Sequence, residues 1–149
     1  MKRMLALGLA LLLLCSGCAG RKYVGADELT ASFKASEIQA GQAETENLNK
    51  FALELFRRAA GREDENPVVS PLSAYLALGT AAMGADGDTL KEFEALMGGD
   101  IGSNCHAIAA ALEEMSGDTV LNIADSVWVD SEAEIYDEFL QKAVDYFKA

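Results

Sequence analysis

From Pro71 to Ala85 the chain runs PLSAYLALGTAAMGA, fifteen residues without a charge, and this run limits the folds open to it. As a helix rising about 1.5 Å per residue it falls short of the roughly 30 Å of a bilayer's hydrocarbon core. It is also too apolar to lie free on a surface. Ser70 and Pro71 open it as a helix start: serine is a favoured N-cap, and proline at the first helical position gives up an N–H that has no partner there anyway. A helix is predicted from Leu72 to about Met83, apolar on every side, which marks an element buried in a larger body. Ala74, Ala77, Gly79, Ala81, Ala82 and Gly84 are small, so other backbones can come close. Such a helix needs neighbours all round it.

The rest of the chain supplies some of them. In NLNKFALELFRRAAG, residues Leu48, Phe51, Ala52, Leu55, Phe56 and Ala59 recur at helical spacing, with Gly61 placed to end the element. GDTLKEFEALMGG reads as a helix capped by Asp88 or Thr89, with Leu90, Phe93, Leu96 and Met97 inward and Gly98 as the stop. A further helix starts near Ser103, with Cys105, Ile108, Leu112 and Met115 on one face and Gly117 at its end. TVLNIADSVWVD alternates at period two and reads as a strand over 119–129, with Leu121, Ile123, Val127 and Val129 on one face. YDEFLQKAVDYFKA then places Tyr136, Phe139, Leu140, Ala143, Val144 and Phe147 on one helical face, with no terminating signal before Ala149. One strand cannot satisfy its own backbone, since a sheet needs partners. The pattern therefore describes an α+β body, residues 47–149, whose single strand lacks its partners, so the chain reads as unfinished.

Twelve basic against 24 acidic residues, net charge -12, argue against nucleic acid, because phosphate binding needs clustered Lys and Arg. The charged run 62–65 reads as a solvated loop; its consecutive acids diverge too far to hold a metal. No cofactor or metal is expected. Cys105 reads as a small buried hydrophobe and His106 as a helix-surface residue, without a nucleophile–base spacing that would suggest an enzyme.

The first residues read as an address. Lys2 and Arg3 precede an apolar run from Met4 to Leu14, the length of a signal peptide rather than of a membrane span. The run ends in Ser16-Gly17-Cys18. This resembles the bacterial lipoprotein signal, with Cys15 standing where leucine is usual. The resemblance implies a signal peptide over 1–17, cleavage after Gly17, and lipid on Cys18 as the membrane contact. An ordinary secretory signal is the alternative, and both readings export the protein, to the cell envelope or beyond it. Residues 18–46 read as a polar tether spacing the body from the membrane, with a short helix around Asp27 to Phe33.

Asn66-Pro-Val-Val-Ser70-Pro71-Leu-Ser73, followed by Leu78, Gly84 and Gly87-Asp88-Thr89, resembles the second-helix signature of the serpin family. NLNKFALELF resembles that family's first helix, and NIADSVWVD the second strand of its large sheet. Asp125 departs from the pattern, which usually has asparagine there. The resemblance implies a serpin fold whose helices pack on a large, mostly antiparallel sheet. Asn66, Ser70, Pro71, Ser73, Gly84 and Thr89 would be structural residues of its shutter, where that sheet opens. It further implies a partner, a serine or in some members a cysteine protease. That protease is trapped as an acyl-enzyme when it cuts an exposed reactive-centre loop, and the loop then inserts into the sheet. The loop belongs to a later part of the family's fold, so no bait residue is expected in this chain, and the fragment alone would not inhibit. Residues 103–116 carry no Lys or Arg, so heparin binding through that helix is not expected. Two other readings stand beside this one: a small lipid-anchored helical adapter, and a serpin that binds without inhibiting.

Overall fold

The computed structural model describes residues 28–61, 66–115, 119–130 and 132–149. Its five helices are α1 (Glu46–Ala60), α2 (Pro71–Ala82), α3 (Gly87–Met97), α4 (Ile101–Met115) and α5 (Asp137–Phe147). The leader, with Cys18, and the 62–65 loop lie outside the described residues, as does Gly117.

α2 is the hub: α1, α3, α4 and α5 all pack on it. Its inward face carries Tyr75, Leu76, Gly79, Thr80 and Ala82, all buried. Tyr75 joins three helices. Its ring meets Phe51 of α1 edge-on, with centroids 5.6 Å apart, and its hydroxyl donates to the Met97 carbonyl at the end of α3, 2.8 Å away. Met97, Ile101, Cys105, Ile108 and Phe147 complete the core around it. Thr80, the one buried polar side chain described here, donates back to the Leu76 carbonyl of its own helix at 3.2 Å, so it brings no unmet hydrogen bond inside.

Gly79 and Gly102 show why small residues fall where they do. A Cβ on Gly79 would stand 2.7 Å from the Cys105 sulfur and 3.1 Å from the Phe147 ring. One on Gly102 would meet the Tyr146 ring and the Met83 sulfur, each at 3.1 Å. These are the points where α2, α4 and α5 approach backbone to side chain.

Several expectations change at the element ends. α3 is capped by Asp86, whose carboxylate accepts from the Gly87 N–H at 2.7 Å, not by Asp88 or Thr89. Gly87, at φ +59°, turns the chain into the helix, so the cap falls two residues before Asp88 and three before Thr89. Asp88 falls within the first turn instead and pairs with Lys91. Gly98 does end α3, at φ +90°, donating to the Glu94 carbonyl. α4 begins at Ile101 rather than Ser103. The end of α5, predicted to lack a stop, is closed by Lys148 at φ +55°: its N–H reaches the Val144 carbonyl, and that of Ala149 reaches Ala143.

Predicted inward residues also fail at the ends of faces. Tyr136 is 86% exposed because it sits at the N-cap of α5, and Met115, in the last turn of α4, is 80% exposed. Phe56 and Leu96 are half-exposed beyond the reach of their neighbours. Periodicity marks a stripe without saying where along the stripe cover ends.

The predicted strand over 119–129 is not one: residues 120–130 join no ladder, and no strand forms among the described residues. The alternation is real, since Ile123, Asp125 and Val129 are half-buried while Asn122, Ala124, Ser126 and Trp128 are exposed. Leu121 and Val127 nonetheless remain exposed. Alternation specifies a face, and a strand also needs a backbone partner. The helix expected around Asp27 to Phe33 is a pair of turns over 29–32, with Asp27 outside the described residues.

Residues 34–44, within the expected tether, lie against the body. The Ser36 N–H donates to Asp145 at 2.7 Å, and Gln141 donates to the Lys34 carbonyl at 2.9 Å. Asn104 clasps Glu44 twice, accepting from its N–H at 2.8 Å and donating to its carbonyl at 3.0 Å. Among the described residues no helix is long and apolar enough to cross a membrane.

Candidate functional site

Four of the motif residues, Ser70, Pro71, Ser73 and Gly84, lie on α2 or at its ends. Ser70 is its N-cap, in extended conformation, and Pro71 holds the first helical position as predicted. The Ser70 hydroxyl accepts from the Ser73 N–H at 3.4 Å and shares a 2.8 Å hydrogen bond with the Ser73 hydroxyl. Both side chains are exposed. From Ser70 the exposed positions continue through Ser73, Ala77 and Ala81 to Gly84, about 20 Å away at helical rise. The helix expected to be covered all round thus leaves one narrow stripe uncovered, with Pro71, Leu72, Ala74 and Leu78 half-buried on its flanks. The stripe presents two hydroxyls, two methyls and a glycine.

The remaining motif residues do not join Ser70 and Ser73 in one site. Asn66 is exposed ahead of the helix, and Thr89 is exposed in the first turn of α3. Gly84, at the far end of the stripe, is packed by α5: a Cβ there would come within 3.1 Å of the Phe139 ring. Nothing among them has the proximity of a nucleophile and a base, and among the described residues no cluster of His, Cys, Asp and Glu is arranged to hold a metal. Chemically, the stripe offers hydrogen-bonding hydroxyls at one end and a smooth apolar surface along the rest.

Ser70→Ala should lower stability by about 0.5–1 kcal/mol, the lower part of the N-cap range, because its capping bond is long. Ser73→Ala, which removes only the hydroxyl pair, should cost less. Paired thermal melts of the two variants check the order.

Sequence reasoning missed a cluster between α4 and α5. Cys105, His106 and Glu113 of α4, Tyr146 of α5 and Lys148 line a cavity of about 30 Å³, walled also by Leu76, Phe147, Ile123 and Asp125. Cys105 is 1% exposed, and burial, with the Asp125 carboxylate adding to it, pushes its thiol up to about 12. A thiol so seldom ionised is a poor nucleophile, in keeping with its reading as a small hydrophobe. Burial also pushes the Asp125 carboxyl above the ordinary aspartate range. The His106 Nδ1 lies 3.4 Å from the Tyr146 carbonyl, half-buried between the helices. The Lys148 ammonium is taken by both oxygens of Glu113, at 3.1 Å each. The signal for this cluster was Asp125 itself, a carboxylate on the apolar side of an alternating run.

The family described as Serpin (serine protease inhibitor) matches residues 46–149. Among curated proteins the chain is similar to neuroserpin of Rattus norvegicus, 40% identical over 98 residues that cover 62% of this chain and 24% of that protein. It is similar to neuroserpin of Homo sapiens, 39% identical over 99 residues, with coverage of 62% and 24%. A putative serpin-Z5 of Oryza sativa subsp. japonica is 33% identical over 111 residues, 68% of this chain and 25% of that protein. The chain spans about a quarter of the length of these relatives. No solved structure matches it.

Proposed function

The chain belongs to the serpin family, and on that premise we propose that it is the N-terminal part of an exported serpin whose complete form inhibits a serine-type protease. The observation that carries the reading is the uncovered stripe along α2. A helix with no charge from Pro71 to Ala82 presents a continuous exposed stripe, Ser70 to Gly84, suited to lie beneath a sheet. The run 120–130, with alternating burial and no ladder, supports the same reading, since it has the pattern of a strand awaiting a neighbour.

In this proposal Asn66, Ser70, Pro71, Ser73, Gly84 and Thr89 support the opening of that sheet. Cys18 carries lipid that holds the protein on the outer side of a membrane, and residues 18–46 connect the anchor to the body. The bait that the protease cuts lies in a part of the protein beyond this chain, and the chain's own role is to form the helical base on which the sheet moves.

A second reading is favoured by two observations. The helices share a core of their own around Tyr75, and α5 is closed by the left-handed Lys148. Both suit a lipid-anchored helical binding module with no inhibitory activity.

The deciding experiment is the mass of the native protein in the envelope fraction, detected with an antibody to residues 47–66, followed by incubation with a serine protease. The proposal expects a species several times heavier than this chain, shifted further by a covalent complex that survives boiling in detergent. A species of the mass of residues 18–149 plus lipid would replace the inhibitor with the binding module.

A further inference from the structure

Residues 33–44 form neither helix nor strand, yet they lie on α4 and α5 in a set register. Phe33, Ile38 and Ala43, five positions apart, are half-buried, while residues 34–37 and 39–42 between them are exposed. Ala43 packs against the core around Tyr75. Four hydrogen bonds each join a side chain of the body to a main-chain atom of this segment. Gln141 donates to the Lys34 carbonyl, Asp145 accepts from the Ser36 N–H, and Asn104 both accepts from and donates to Glu44. The three side chains of the body are half-buried, and Gln141 also donates to Asp145 at 2.8 Å, so the pair on α5 is braced. The Asp145 carboxyl is held below the ordinary aspartate range, chiefly by the Ser36 N–H, and so accepts as a carboxylate. Asparagine offers an acceptor and two donors, and at Glu44 it satisfies both main-chain groups of one residue, as a neighbouring strand would.

We propose that the α4–α5 edge is a binding surface for a peptide main chain, held by Asn104, Gln141 and Asp145, with residues 33–44 as its resident occupant. Main-chain groups are common to every sequence, so these bonds supply attachment, and the apolar contacts at 33, 38 and 43 set the register. The peptides this surface fits carry apolar side chains at that five-residue spacing, with exposed positions free to vary between them. The occupant lies ahead of residues 46–149, the part that the family describes. The proposal stands on this contact alone and is independent of the inhibitor reading.

Amide hydrogen exchange in the full chain is the first test. The Ser36 and Glu44 amides should exchange about tenfold or more slowly than those of Glu37 and Gln39. Ile38→Asp should speed both, and Gln39→Asp should leave both slow. The second test adds a fluorescein-labelled peptide of residues 30–46 to the full-length Ile38→Asp chain, whose own segment is weakened as a competitor, and follows anisotropy. Saturable binding is expected, weakened about tenfold by adding Asn104→Ala. A peptide with serine in place of Phe33 and Ile38 should not bind. Wild type should bind the peptide less well than Ile38→Asp, because its own segment meets the surface at high effective concentration. Unprotected Ser36 and Glu44 amides in wild type overturn the proposal. So does a peptide that fails to bind, or one that binds equally well without its apolar anchors or after Asn104→Ala. Should Ile38→Asp fail to fold, protection of Glu44 in wild type and its loss in Asn104→Ala still decide.

Discussion

Tyr75→Ala is expected to cost about 3–5 kcal/mol, the range for deleting a buried aromatic ring, and to lower the urea midpoint of the chain accordingly. The ring is 1% exposed, packs edge-on against Phe51, and fills the meeting point of α1, α2 and α3. Tyr75→Phe isolates the polar part of the effect. It keeps the ring and removes the donor to the Met97 carbonyl, leaving a buried acceptor unmet at a cost of about 1–2 kcal/mol. Far-UV circular dichroism along a urea series measures both. Equal losses from the two variants would mean that the hydrogen bond, and not ring packing, ties the three helices together.

Gly79→Val is the second large effect, and it acts by overfilling. The first added carbon would stand 2.7 Å from the Cys105 sulfur and 3.1 Å from the Phe147 ring. Phe147 closes the core at the end of α5, so the sulfur and the ring have little room to retreat. Overpacking of this kind costs about 3 kcal/mol at its upper end. Replacing a mid-helix glycine would ordinarily gain up to about 1 kcal/mol, so a net loss requires that packing outweigh propensity. Cys105→Ala removes the nearest obstacle and should restore part of the loss in the double variant, with a coupling of about 0.5–3 kcal/mol. Additive urea midpoints in the double-mutant cycle would place the strain elsewhere.

The two variants bear on how much of the molecule was legible in its residues. Helix α2 could be read from its charge-free run and its Ser70-Pro71 start, and the faces of α1 and α5 from helical spacing, because those signals are local. The ends of faces were not legible. Tyr136 and Met115 keep the spacing of core residues but stand past the last neighbour, a matter of tertiary reach. The cap of α3 moved from Asp88 or Thr89 to Asp86 because Gly87 turns the backbone at positive φ, which a glycine permits without announcing. For the strand, period-two burial was visible at Ile123 and Asp125, yet a ladder depends on a second segment that no single run of residues can declare. The site divides in the same way. Ser70 as a cap was readable from Ser-Pro alone, whereas the closeness of Asp125 to Cys105 links positions twenty residues apart through the packing of α4 and α5.

The hydrogen bonds from residues 34 and 36 to α5 have a consequence in time. They join positions 107 and 109 apart in sequence. Closing a loop of about a hundred residues from an open chain costs on the order of 4 kcal/mol in entropy. Two such bonds return only about 1–3 kcal/mol net. They cannot draw the chain together by themselves and must close after the helices have already brought α5 into place. The same arithmetic orders their loss under load. A force applied through residues ahead of Lys34 reaches this staple first, and then the Glu44–Asn104 clasp, before it reaches the core around Tyr75. The early segment is then a sacrificial seam that can rip and reseal while the helical body behind it stays folded.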